Sequence, residues 1–218
     1  MKHNLTDGFI KKRLAVYALG VIAMSFGISL VIKAGLGVAP GGVISYAISR
    51  LTVISVGWCT TLFHTTCILA QLLISGRLNA GLVVQLPLTL VFGQLIDLFL
   101  QLLSLGSISL VNSIAMLCVG IITFSLGIRT MAGANLLLMP SDNLAQAAGE
   151  KLGWKFPKAK LIGDILFTII AIALMLMFSG DVFSVIGVGT ILSAAVTGPM
   201  VGIFTKLLPF LDVPQPGK

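Results

Sequence analysis

Six apolar runs, each of about 20 residues, constrain the fold of this chain more than any other feature. A helix of that length crosses the roughly 30 Å hydrocarbon core of a bilayer, where only helices and closed barrels satisfy their own backbone hydrogen bonds. The mean hydropathy is +1.08 and only 10% of the residues are charged, so no polar stretch is left for a soluble domain. The sequence therefore predicts an all-α polytopic membrane protein, with residues 1–218 forming one embedded domain. The expected spans lie near 14–33, 58–75, 82–104, 111–128, 161–179 and 183–205.

Lysine and arginine residues predict the orientation of these spans. If the N-terminus is cytoplasmic, twelve of the fourteen lie on the cytoplasmic side, and only Lys33 and Arg50 lie outside. This bias follows the positive-inside rule and places both termini in the cytoplasm. The first apolar run lacks a small-x-small cleavage site followed by a soluble domain, so we expect it to be retained as a helix. The cytoplasmic set is Lys2, Lys11, Lys12, Arg13, Arg77, Arg129, Lys151, Lys155, Lys158, Lys160, Lys206 and Lys218.

The chain repeats itself at an interval of one hundred residues. When 15–47 is aligned with 115–147, ten of thirty-three positions are identical, whereas chance would give roughly two or three. Each repeat contains three spans, and an odd number makes the second copy enter the membrane from the opposite side. The sequence thus predicts two inverted three-helix repeats, about 14–104 and about 111–208. The identical pairs are Ala15/Ala115, Gly20/Gly120, Ile22/Ile122, Ser25/Ser125, Gly27/Gly127, Ile28/Ile128, Ala34/Ala134, Leu36/Leu136, Pro40/Pro140 and Ala47/Ala147.

Each repeat carries a short proline-initiated segment after its first span, within 38–54 and within 138–152. Proline suits the first turn of a helix, where its missing N–H costs nothing. One interpretation is a broken or re-entrant helix whose buried N-terminus lines a cavity and offers N–H groups to an anionic group. The alternative is an amphipathic helix on the membrane surface. The substrate-binding residues predicted by the first interpretation are Pro40, Gly41, Ser45, Pro140, Ser141, Asp142 and Asn143.

Three ionisable residues within the predicted spans are candidates for proton or ion coupling: His64, Asp97 and Asp164. Such groups are costly in lipid and usually face a protein interior or a transport pathway. Each also has a structural interpretation. His64 would be a hydrogen-bonded buried histidine, Asp97 a polar bridge between helices, and Asp164 the ion-pair partner of Lys160 one helical turn earlier.

The sequence lacks the patterns that indicate an enzyme, a cofactor or a metal site. Cys59, Cys67 and Cys118 have no Cys-x-x-Cys spacing, and the chain has only two histidines. No Ser/His/Asp triad or nucleotide motif is present, and Gly187–Thr190 lacks the lysine of a phosphate-binding loop. The net charge of +7 follows from membrane orientation, so no nucleic-acid partner is expected.

Four glycine- and proline-containing motifs resemble the YczE/YyaS/YitT family of bacterial integral membrane proteins. They are the runs 34–40, 140–144 and 186–190, together with Gly198-Pro199. The resemblance covers nearly the whole chain and implies a location in the bacterial cell (inner) membrane and the export of small molecules.

Two further positions bear on this resemblance. In that family an acidic residue in the fifth span commonly follows a basic one, which implies a role for Asp164 with Lys158 or Lys160. The chain departs from the family pattern at Asp142-Asn143 and at Gly41-Gly42.

These features predict a secondary carrier or exporter of a small molecule, with its site between the repeats. One alternative is a substrate-binding membrane subunit of an ATP-driven transporter, which would co-purify with an ATPase. Another is a non-transporting membrane regulator, which would bind no small molecule. The expected partners are the substrate and the lipid bilayer, and a homodimer is one expected arrangement.

Overall fold

A computed structural model describes residues 2–78, 80–103 and 109–213, with side chains from residue 10 onward. Lys218 and the predicted span end at residue 104 lie outside the described residues. No strand occurs in these three ranges. Short 3-10 turns lie at Pro40–Gly42, Val182–Ser184 and Pro209–Leu211. The helices are α1 (Lys2–Ala34), α2 (Val43–Leu51), α3 (Val56–Ser75), α4 (Ala80–Leu102), α5 (Leu110–Gly133), α6 (Pro140–Leu152), α7 (Phe156–Phe178) and α8 (Val188–Leu207).

Six of these helices, α1, α3, α4, α5, α7 and α8, are long and apolar enough to cross a membrane. The prediction of an all-α, multi-pass membrane protein is therefore confirmed at this level. Four helix ends differ from the predicted spans by five residues or more. α1 begins at Lys2, α5 ends at Gly133 and α7 begins at Phe156, because each helix continues beyond the apolar run that marks its span. α8 begins at Val188 because Asp181 caps a separate 3-10 turn at Ser184.

The order of helix lengths is the same in both halves: one long helix, one short helix and two long helices. α6 begins at Pro140, and the corresponding 3-10 turn begins at Pro40 and leads into α2. α2 packs against both α3 and α7, and α6 packs against the same two helices. α4 packs beside α1, as α8 packs beside α5.

α1 and α5 form the central helix pair, and their glycines allow the backbones to approach closely. A Cβ on Gly20 would lie 2.5 Å from the backbone N of Met131, and a Cβ on Gly127 would lie 2.5 Å from that of Met24. Gly27 approaches Phe124 in the same way. A shift of one hundred residues turns Gly27 into Gly127 and Phe124 into Met24, so one contact is the counterpart of the other.

The packing of α4 and α8 follows the same shift. Ile96 of α4 is fully buried in a cluster built on α1 and α5, and Val196 of α8 packs against another such cluster. A shift of one hundred residues converts one set of packed residues into the other. The first set is Ile96, Tyr17, Val21, Met131 and Ala134, and the second, in the same order, is Val196, Leu117, Ile121, Val31 and Ala34.

The two halves differ in how their last two helices meet. α3 packs tightly on α4 at Gly57 and Gly93, where a Cβ on either glycine would overlap the carbonyl oxygen of the other. Among the described residues, α7 and α8 make no comparable contact. A cavity lies between them instead.

Candidate functional site

One cavity of about 510 Å³ is lined by parts of both halves. The 3-10 turn Pro40–Gly42 forms one wall, and Ser141 and Asp142 at the start of α6 form another. Further polar residues of its lining are Thr60 and His64 of α3, Lys160 and Asp164 of α7, and hydroxyl residues of α8. The volume lies in the range of pockets that enclose drug-sized ligands.

The charged residues of the cavity form one connected cluster. The Lys160 ammonium lies 2.6 Å from Oδ1 of Asp164, one turn later on α7, and 3.0 Å from Oδ1 of Asp142 on α6. All three side chains keep some exposure to the cavity, between 18% and 31%. Two carboxylates share one ammonium, so the ionised cluster has one uncompensated negative charge.

The start of α6 is held in place by an amide pair on α3 and α4. Gln71 and Gln85 hydrogen-bond to each other at 3.2 and 3.3 Å, and Gln71 Nε2 donates to the Pro140 carbonyl at 3.0 Å. Asn143 Nδ2 donates to the carbonyl of Leu138 at 2.9 Å, which closes the turn before the helix. These buried bonds fix the direction in which the first turn of α6 presents Asp142.

His64 reaches the cavity from a tightly packed position on α3. Its Nδ1 lies 2.8 Å from Oγ1 of Thr89, and its ring stacks on Phe92 with centroids 5.8 Å apart. The residue is only 3% exposed. The histidine therefore has the hydrogen-bonded surroundings of its structural interpretation and also contributes to the cavity wall.

Asp97 lies at the α3–α4 contact and is not among the residues that line the cavity. Its carboxylate accepts hydrogen bonds from Ser55 Oγ at 2.5 Å and from the Gly57 backbone N at 2.7 Å. This placement agrees with the second interpretation of Asp97 from the sequence, a polar bridge between helices, rather than with a role in proton or ion coupling.

The structure brings together some of the predicted substrate-binding residues and leaves others outside the cavity lining. Ser45 is 1% exposed, and its hydroxyl has no hydrogen-bond partner within the described ranges. Pro140 and Asn143 act through the backbone contacts given above. The predicted residues that line the cavity are Pro40, Gly41, Ser141, Asp142, His64 and Asp164, and those that do not are Ser45, Pro140, Asn143 and Asp97.

Sequence reasoning missed two hydroxyl residues of α8. Ser193 and Thr197 line the cavity, and their buried hydroxyls find no partner in the part of the chain that the structure describes. Isolated serine and threonine residues in an apolar helix carry little signal of their own. Their one available signal was positional, because they lie one hundred residues after Gly93 and Asp97.

The described residues contain no group of three or more His, Cys, Asp or Glu side chains that could hold a metal ion. The three cysteines are free thiols, with Cys59 and Cys67 buried and Cys118 exposed.

Comparison with protein-family models matches residues 11–206 to DUF6198, which is described as a family of unknown function. The match runs from the start of the first membrane span almost to the end of α8. A search of curated proteins and a search of solved structures each found no match.

Proposed function

The chain belongs to the DUF6198 family, and we propose that it is a secondary carrier that moves a small molecule through the cavity between its halves. The observation that carries this proposal is the shared wall of one cavity. The turn at Pro40 and the helix start at Ser141, which follow the first span of each repeat, line it together. Carrier sites commonly lie where interrupted helices of two repeats meet near the bilayer midplane.

The proposal includes an inverted relation between the halves, with repeat one at about 14–104 and repeat two at about 111–208. Support comes from contacts that exchange under the shift of one hundred residues, such as Gly27 with Phe124 and Gly127 with Met24. The proline-initiated segments would then enter the membrane from opposite faces and end beside the same cavity.

The difference between the halves suggests how access to the cavity alternates. The α3–α4 contact is closed, whereas the corresponding helices α7 and α8 stand apart around the cavity. With both termini in the cytoplasm, the gap between α7 and α8 faces the cytoplasm and the α3–α4 contact lies toward the outside. Transport would exchange these two arrangements, closing α7 on α8 and opening α3 from α4.

Within this scheme we assign substrate contact to Pro40, Gly41, Ser141 and Asp142, and coupling to Asp164 with His64 nearby. The resemblance to the YczE/YyaS/YitT family supports the same assignment for Asp164 and a location in the bacterial cell membrane. Ser45, Pro140 and Asn143 would position the segments, and Asp97 would hold the outer contact closed.

The proposal is tested by flux into liposomes that contain only this purified protein. Thermal-shift screening against metabolites and drugs first identifies a binding ligand, and its radiolabelled form is then followed under an imposed proton gradient. We expect gradient-driven flux that Asp164→Asn abolishes without loss of expression. The matched control is Glu150→Gln, which removes an exposed carboxylate from α6.

Two outcomes of this experiment would refute the carrier. A ligand that binds the protein but crosses the liposome membrane only after addition of a co-purified ATPase would identify a subunit of an ATP-driven transporter. No ligand-dependent stabilisation and no flux under any gradient, with no ATPase partner, would identify a membrane regulator.

A further inference from the structure

We propose that the cavity binds a small organic cation with an apolar body, and that this cation exchanges with a proton. The inference rests on the proposed carrier function and names the substrate class of the same site. It is carried by the charge of the Asp142–Lys160–Asp164 cluster together with the unpartnered hydroxyl of Ser193.

The cluster selects for positive charge. Asp142 and Asp164 share the ammonium of Lys160, which leaves one negative charge without a counterion in the described surroundings. An anion at the start of α6 would meet this excess negative charge, which outweighs the partial positive charge of a helix N-terminus. A monovalent cation neutralises the cluster, and neutralisation is worth more inside a membrane protein than in water.

The structure already shows how an ammonium group fits between the carboxylates. Lys160 Nζ lies 2.6 Å from Asp164 and 3.0 Å from Asp142, both within hydrogen-bonding distance and close to the usual lengths of charge-assisted bonds. Because lysine has a flexible stem with rotatable donors, its ammonium can withdraw and leave this position to the amine of a ligand. Lys160 then acts as a tethered cation that occupies the site when no substrate is present.

Ser193 provides an anchor independent of the charged cluster. The residue is 2% exposed, lines the cavity, and has no hydrogen-bond partner among the residues that the structure describes. Burying a hydroxyl without a partner is unfavourable, so its position beside a cavity points to a ligand that completes the bond. Thr197, one turn later, presents a second such hydroxyl.

The remaining wall fits an apolar body. Phe92, Phe124 and Phe156 line the cavity from α4, α5 and α7, and Met24 and Met139 also line it. Aromatic faces attract cations as well as apolar groups, and methionine adapts to ligands of different shape. An amine attached to an aromatic or branched body would satisfy both the charged and the apolar parts of the wall.

Proton exchange follows from the same charge balance. A proton on Asp142 or Asp164 neutralises the cluster as well as an organic cation does, so the two compete for one negative charge. The titratable and charged groups that face the cavity are Asp142 of α6, Lys160 and Asp164 of α7, and His64 of α3. The described residues of α1, α4, α5, α8 and the Pro40 turn that line it are uncharged. Protonation of His64 would also weaken cation binding.

The test uses ligands that share a body and differ in charge. Isothermal titration of the purified full-length protein in detergent compares tryptamine with tryptophol and indole-3-propionate, and tetraphenylphosphonium with tetraphenylborate. We expect each cation to bind at least tenfold more tightly than the neutral or anionic ligands that share its body, a difference in binding free energy of about 1.4 kcal/mol. The affinity for the cation should fall as the pH is lowered, by at most about tenfold per pH unit for one exchanged proton.

Variants separate binding at the cluster from partition into detergent. Asp164→Asn leaves one carboxylate for one ammonium, so the affinity for tryptamine should fall about tenfold or more. Lys160→Met removes the tethered competitor and should strengthen binding. Glu150→Gln is the matched control and should change nothing. Asp142→Asn serves as a second test of the same charge if Asp164→Asn does not fold.

Several results would overturn the proposal. They are binding of neither cation, equal binding of the cation and of the neutral or anionic ligands that share its body, a preference for the anions, or cation binding that is unaffected by both aspartate variants. Each of these would leave the carrier proposal standing if another ligand is transported in liposomes. Conversely, cation binding with no flux would refute the carrier while establishing the ligand class of the cavity.

Discussion

The carboxylate of Asp97 on α4 accepts a hydrogen bond of 2.7 Å from the backbone N–H of Gly57, in the first turn of α3. A helix start leaves its first N–H groups without partners inside the helix, and a carboxylate supplied by another helix satisfies one of them. Asp97 therefore fastens α4 to α3 at the point where Gly57 and Gly93 are in contact. In the proposed carrier this is the contact that must open toward the outside.

The first prediction concerns the opening of this contact. Asp97→Asn replaces charge-assisted hydrogen bonds by weaker neutral ones, so α3 and α4 should separate more often. Thr61→Cys, at a side chain of α3 whose hydroxyl lies 3.5 Å from a backbone carbonyl oxygen of α4, reports the separation in a background without the three native cysteines. A membrane-impermeant maleimide added outside sealed cells should label this introduced cysteine about tenfold faster in the variant, for a loss of about 1.4 kcal/mol.

The control for this labelling experiment is Asp181→Asn. Asp181 accepts a hydrogen bond from the Ser184 backbone in the connection between α7 and α8, so its loss leaves the α3–α4 contact intact. An equal increase in the labelling of the introduced cysteine in both variants, or none in Asp97→Asn, would argue against a gate at Asp97.

The second prediction concerns the glycine contact itself. Gly93→Ala would place a methyl group against the Gly57 carbonyl and the Thr61 hydroxyl, and should lower the free energy of unfolding by about 1–3 kcal/mol. Gly202→Ala on α8 is the matched control, because a Cβ there meets nothing within 4 Å. Thermal unfolding in detergent checks both variants. Equal midpoints for the two would contradict the close α3–α4 contact.

The third prediction concerns the charge of the cavity. Lys160→Met leaves Asp142 and Asp164 without their shared cation, so the two carboxylates repel each other and the thermal midpoint should fall at pH 7.5. Lowering the pH to 5 should restore part of the loss, since protonation of one carboxylate removes the repulsion. Lys158→Met, which removes a cation that lies over the Trp154 ring, should show no such recovery. An identical pH dependence of the thermal midpoint in both variants would contradict an ammonium of Lys160 that is shared by the two carboxylates.

The fourth prediction concerns the end of the described chain. Arg129 is buried on α5, where it donates to the Leu208 carbonyl at 2.9 Å and pairs with Asp212 at 2.9 Å. Arg129→Met should cost about 1–3 kcal/mol, because the Leu208 carbonyl loses its donor. Asp212→Asn should cost less, since this side chain is 55% exposed and the amide oxygen of asparagine can still accept a hydrogen bond from the guanidinium. Thermal unfolding compares the two variants. A larger fall of the thermal midpoint in Asp212→Asn than in Arg129→Met would contradict the leading role of the hydrogen bond to Leu208.

The sequence was sufficient to predict the membrane helices, because hydrocarbon demands long apolar runs and leaves few alternatives. It also singled out Pro40 and Pro140, whose neighbours line the cavity from both halves. Helix ends were less predictable. The start of α7, which includes Lys158 and Lys160, falls outside the apolar run but is part of the helix.

The site was predictable only in part, since a sequence does not state which polar groups face each other. Asp97 and Asp164 both appear as isolated carboxylates in apolar runs, yet one caps a helix and the other lies in the cavity. Ser193 and Thr197 gave only a positional signal, because an unpartnered hydroxyl can be recognised only when its surroundings are known.

A cross-link between α7 and α8 tests the central claim most directly. Gly57 and Gly93 correspond to Pro157 and Ser193 under the shift of one hundred residues, so cysteines at the latter two positions should approach when α7 closes on α8. In a background without native cysteines, the account predicts an intramolecular disulfide that forms in membranes, blocks transport and is reversed by reduction. Failure of this pair to cross-link in an actively transporting protein would contradict it.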